Sequence, residues 1–194
     1  MKWLSIAVSA VLLLMTNSVA SATVTYAYTG DPFTALFSAT CPSVCRISGY
    51  FVLSTPLPVN RPAFVTTINP LSFSFTDGLA TVDSANSEPG PFGATSINIE
   101  TNSSGAIIGW NNQFFSATNF MFSSTNPPGC IGCSVTDTTG DFANTYAANN
   151  QNSPGVWTVT TSVPEPSTWA MLLVGFGGLG AAMRSRRRLT AVTA

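Results

Sequence analysis

Histidine is absent from the 194-residue chain. That excludes Ser-His-Asp triads, Cys-His dyads and every His-ligated metal site. Charge is scarce as well: Asp, Glu, Lys and Arg make up 8% of the residues, against about 25% in ordinary soluble proteins. Because 45% of residues are hydrophobic, the chain is not a highly charged disordered polypeptide. Seven basic residues against eight acidic ones leave no basic face for nucleic acid. The few carboxylates show no spacing that identifies a glycoside-cleaving pair. The expectation is therefore a protein that is not an enzyme, holds no cofactor and binds no nucleic acid.

What is present gathers first at the two ends. Lys2 is followed by an apolar stretch over 3–15 and then by small residues. That order is the layout of a secretory signal peptide, with cleavage expected after Ala22 and Ala20 as the rival site. At the other end, residues 167–183 carry no charge. Seventeen helical residues reach roughly 26 Å, the low end of what crosses a bilayer. Arg184, Arg186, Arg187 and Arg188 follow, four of the seven basic residues within five positions. The positive-inside rule places that cluster in the cytoplasm. Gly175, Gly177, Gly178 and Gly180 would let another helix approach closely.

Just before the apolar segment stands Pro164-Glu165-Pro166, then Trp169-Ala170. Two prolines at alternate positions hold the chain extended and deny it a helix or a ladder hydrogen bond. An extended tripeptide beside a membrane is a shape that a protease can grip. Trp169 suits the lipid–water interface. In order and spacing, residues 163–188 resemble the PEP-CTERM sorting signal of Gram-negative bacteria, in its PEPxxWA variant. The matching parts are Pro164-Glu165-Pro166, Trp169-Ala170, the glycine-rich apolar segment and the arginine cluster. Residues 189–194 extend beyond the usual pattern as a short cytoplasmic tail. The resemblance implies a protein that is exported, held in the inner membrane with its domain in the periplasm, and processed by an exosortase. It also implies delivery to the cell surface or extracellular matrix, with exopolysaccharide as a further partner and biofilm as the setting. On that reading the chain is a substrate of catalysis and not its agent.

Residues 23–162 remain as one exported domain. Two basic residues, Arg46 and Arg61, against seven acidic ones give it a net charge of −5. Period-two or short apolar patterns recur at 24–28, 49–53, 71–75, 97–99, 106–110, 119–122 and 156–161. Asp77-Gly78 and 102–105 supply turn chemistry between strands. No window shows a helical period. About eight short strands point to an all-β fold, a single β-sandwich of jelly-roll-like type. Residues 56–62, 87–91 and 144–154 are expected to be loops.

Four cysteines form two close pairs, Cys41 with Cys45 and Cys130 with Cys133. In an exported protein they are expected to be disulfides rather than a zinc site. Three connectivities are possible, and the two local ones are favoured because each pair lies in a bendable loop. Asp77 and Asp83 could meet across a hairpin, and the stretch from Asp137 to Asp141 has the look of a small calcium-friendly loop. A turn with solvated ends is the preferred reading, with no metal. Trp110, Trp157, Phe114 and Phe115 could line a sugar-binding face. The core of a sandwich is the preferred place for them. The leading function is thus a sorted surface or matrix protein; the alternative is a carbohydrate-binding module on the same anchor.

Overall fold

The computed structural model describes residues 22–38, 40–41, 44–63, 67–125, 135–162 and 175–179. Contacts divide the chain into two units, Thr23–Ser162 and the two ends. The first unit is all-β. Its strands are β1 Thr23–Thr29, β2 Ala35–Phe37, β3 Ser48–Leu53, β4 Ser72–Thr76, β5 Thr81–Asp83, β6 Ser96–Thr101, β7 Ile107–Phe115, β8 Asn119–Thr125, β9 Val135–Asp141, β10 Ala147–Gln151 and β11 Val156–Ser162.

The strands form two antiparallel sheets. Sheet A has the order β11-β1-β3-β4-β5 and sheet B the order β2-β10-β9-β8-β7-β6. One hydrophobic cluster joins Val24, Tyr26, Phe51 and Phe75 of sheet A to Ile97, Ile99, Phe114 and Met121 of sheet B. The all-β, sandwich-like expectation holds, but the jelly-roll-like part of it does not. A jelly roll sends successive strands to alternate sheets. Here β6 through β10 are sequential neighbours, as are β3 through β5. Short turns join several of these neighbours, β4 to β5 and β6 to β7 among them. At Asp77-Gly78, Gly78 takes a φ of +92° that a side chain disfavours. Across 102–105, Asn102 Oδ1 accepts from the amides of Ser104 and Ala106, and Gly105 adopts a φ of +81°.

Two strands arise where the sequence reads as loop or turn, and two more, β2 and β5, where it does not read as strand. β10 lies within 144–154, and β9 runs straight through the expected calcium-friendly turn. β10 is bounded by Asn144 and Asn152, both in left-handed backbone (φ 55° and 60°), a conformation asparagine tolerates. Its own asparagines then alternate, Asn150 inward and Asn149 outward. β2 is three residues long, too short for a period to register.

In the second unit the described residues are Ala22 and 175–179, the latter helical. No helix of the described residues is long and apolar enough to cross a membrane. The signal peptide and the full span of 167–183 lie outside the described residues.

Candidate functional site

Two regions carry chemistry: the polar interior of the domain and the C-terminal tail. The interior site is built on β9, whose odd-numbered residues face the core. Asp137 is 1% exposed. Cross-strand register aligns it with Ser123 on β8 and Asn150 on β10, and Ser123 in turn with Asn112 on β7. Four polar side chains thus lie in one row across sheet B, each about 99% buried. Tyr28, from β1 of sheet A, donates its hydroxyl hydrogen to the Asp137 carboxylate, with both oxygens at 2.9 Å. The Tyr28 oxygen accepts from the Gly155 amide at 3.0 Å, and Trp110 Nε1 donates to Ser123 Oγ at 2.8 Å. Gly30 is required here, because a Cβ at that position would fall on the carboxylate.

Burial governs the electrostatics. Desolvation pushes the Asp137 carboxyl up to about 6, hydrogen bonds from Ser123 and Tyr28 pull it partly back, and Asp31 raises it again. The Tyr28 hydroxyl is raised far above its usual value, chiefly by burial and then by the Asp137 charge. Two buried donors, Asn112 Nδ2 and Trp157 Nε1, have no hydrogen-bond partner among the described residues.

A second buried carboxylate joins the sheets nearby. Asp77 accepts from the amides of Leu79 and Ala80 at 2.7 Å through Oδ1. Its Oδ2 accepts from Thr139 Oγ1 at 2.7 Å and from the Tyr146 hydroxyl at 3.1 Å. Tyr146 is raised for the same reasons as Tyr28, burial first and the Asp77 charge second. Asp83 does not meet Asp77. It pairs with Ser74 in the ladder, and its Oδ1 accepts from the amides of Ala85 and Asn86. Asp137 and Asp141 do not converge either. Asp141 closes the β9–β10 turn by accepting from Thr145 and Tyr146, and the Thr145 hydroxyl holds its carboxyl below the usual range.

Three of the four aromatics weighed as a sugar-binding face belong to the core between the sheets: Trp110 and Phe114 are buried there, and Trp157 packs on Tyr28, Phe51 and Trp110. Phe115 is buried too, but it lies opposite Phe120 in the ladder and packs on Phe122, so it belongs to an aromatic group on the outer side of sheet B. Phe92 is 66% exposed and makes edge contacts with Phe120 and Phe122, while Phe142 lies against Phe120. These residues were legible only as scattered phenylalanines, since no local period links position 92 to β8.

One expected disulfide is present: Cys41 is bonded to Cys45, with Cα atoms 5.7 Å apart. Cys130 and Cys133 lie outside the described residues. So do Pro164, Glu165, Pro166, Trp169, Ala170, Arg184, Arg186, Arg187 and Arg188. Of the tail, 175–179 is helical, and a Cβ at Gly175, Gly177 or Gly178 would meet open space.

Comparison with known families decides what that tail is. Residues 162–188 match the PEP-CTERM protein-sorting motif. The match begins at Ser162, the last residue of β11, so the PEP-CTERM motif starts where the folded domain ends. It takes in 27 of the 194 residues. A PEP-CTERM motif goes with export and with an exosortase as the processing partner. No curated protein and no solved structure matches the chain.

Proposed function

We propose that this chain is an exosortase substrate that delivers a β-sandwich-like domain to the cell surface or extracellular matrix, in association with exopolysaccharide and biofilm. The observation that carries the reading is the PEP-CTERM match at 162–188, placed at the edge of the folded unit. Pro164, Glu165, Pro166, Trp169 and Ala170 present the recognised segment. Residues 167–183 hold the intermediate in the inner membrane with the domain in the periplasm, and the arginines keep the end in the cytoplasm. The domain acts as cargo and not as an enzyme. Mass spectrometry of both termini, from cells with and without exosortase, tests this. The expected product begins after Ala22 or Ala20 and ends near 164–166 only when the enzyme is present. An intact tail in both strains overturns processing.

A second reading, carbohydrate binding on the same anchor, is favoured by the outer face of sheet B. Ser96, Gln113, Phe122, Thr138 and Asn149 align in one cross-strand row, opposite in facing to the core residues beside them. The row carries amides, hydroxyls and a ring but no charge, and Phe92 stands beside it. Such groups hydrogen-bond sugar hydroxyls and pack on sugar C–H faces. Saturable binding of the mature protein to the producer's own exopolysaccharide, weakened by Phe92→Ala, is the expected result. Failure across a panel of neutral glycans sinks it.

A further inference from the structure

We infer that β11 is a docking edge, and that its partner is a second copy of this chain pairing antiparallel about a two-fold axis. Exposed strand edges present unpaired N–H and C=O groups, and natural proteins guard them with charge, proline, bulges, brevity or a covering segment. Three of the four edges in this fold are guarded. β2 and β5 are three residues each, and β5 ends in Asp83. β6 carries Glu100 and a register shift at Glu100/Thr101. Its outer side is covered too: Ile97 O accepts from the Ile68 amide, the Thr101 amide donates to Arg61 O, and Arg61 Nη1 donates to Ile99 O.

Among the described residues, β11 has none of these protections. It runs seven residues, VWTVTTS, without charge or proline. It pairs with β1 residue for residue from Thr23↔Ser162 to Thr29↔Val156, with no bulge. Among the described residues its far side has no backbone partner. Val156 is 64% exposed and Val159 53%. Val159 lies opposite Tyr26, a core residue that is 3% exposed. A core-facing valine is therefore left open along this edge.

The occupant follows from charge and self-complementarity. The domain carries a net −5, so two copies repel one another over most approaches. The uncharged β11 removes that repulsion locally. With Val159 on the axis, Val159 meets Val159, Thr158 meets Thr160, and Trp157 meets Thr161. Cross-strand threonine pairs and an apolar centre favour a strand pair, and an isologous contact closes at two copies. Sheet A then becomes continuous across the dimer. The inference is independent of how the tail is processed.

The test is the association state of the exported protein recovered from producing cells, by sedimentation velocity over a concentration series. A monomer–dimer equilibrium is expected. Thr158→Lys places a charge on the edge and should weaken the dimer about tenfold or more, with the melting temperature reporting that the fold is kept. In cells, Val159→Cys should give a disulfide-linked dimer, whereas Tyr50→Cys, exposed in the middle of sheet A, should not. A monomer at every concentration overturns the proposal. So does a dimer indifferent to Thr158→Lys, growth beyond the dimer, or capture of a different protein by Cys at 159.

Discussion

Sheet A meets the core with Tyr26, Tyr28, Phe51, Phe75 and Val82, while sheet B meets it with Ile97, Ile99, Phe114 and Met121 beside a row of Asn112, Ser123, Asp137 and Asn150. The rings supply volume and dispersion, and stacking such as Phe75 on Phe114 at 4.0 Å adds geometric preference. The polar row supplies something rings cannot. A one-residue slip of β9 would turn Asp137 and Thr139 outward and leave the Tyr28 hydroxyl and Asp77 short of partners. Both sheets thus bury large apolar side chains, and the polar row of sheet B fixes the register in which that burial occurs.

Removing a ring from the apolar side should have the largest effect. Phe75 is 1% exposed and packs against Phe114, Phe73's neighbour in the ring cluster. Phe75→Ala deletes that contact and leaves a cavity between the sheets. The expected loss is about 4 kcal/mol, read by equilibrium urea unfolding of the exported protein. A loss under about 1 kcal/mol would mean that the core collapses to fill the site, and that the division of labour between the sheets is looser than the packing implies.

The polar side can be probed by pH. Burial lifts the folded-state value of Asp137 from 3.8 to about 6. The native state therefore holds a proton that the unfolded chain has released. This contribution to stability is complete below about pH 4 and is lost as pH rises through 6. The shift corresponds to about 2–3 kcal/mol. Asp137→Asn cannot titrate, so the stability difference between the wild type and this variant should change by about that amount between pH 4 and 7. A constant difference would show that Asp137 is not held in a desolvated state.

The same asymmetry explains what could be read from the amino-acid order. β1 and β4 were legible because Tyr26, Tyr28, Phe73 and Phe75 alternate with small or hydroxyl residues, and β3 because 49–53 is a short continuous apolar run. β9 and β10 were not, because their inward residues are Asp137, Thr139 and Asn150, and polarity at period two is indistinguishable from a loop. Asparagine deepened the ambiguity: Asn144 and Asn152 do make turns, and they flank the strand that the composition concealed. The pairing of Tyr28 with Asp137 spans 109 positions, so no local pattern could report it. The tail was legible because its signal is one of linear order, Pro-Glu-Pro, Trp-Ala, apolar segment, arginines. The Cys41–Cys45 bridge was legible because it spans only four positions.

The smallest effect should separate two tryptophans that touch, with centroids 6.0 Å apart. Trp110 Nε1 donates to Ser123 Oγ, whereas Trp157 Nε1 is buried without a partner among the described residues. An unmet buried donor costs about 1–3 kcal/mol. Trp157→Phe removes that cost along with some ring volume, and the two offset one another. The net change should stay within about 1 kcal/mol of wild type. Trp110→Phe loses similar volume and a made hydrogen bond, so it should be worse by about 1–2 kcal/mol. Equal losses at the two positions would mean that the Trp157 donor costs nothing in the native state, which would require a water molecule to satisfy it. The polar row would then extend through solvent to sheet A, and the contrast between the two sheets would narrow at this point.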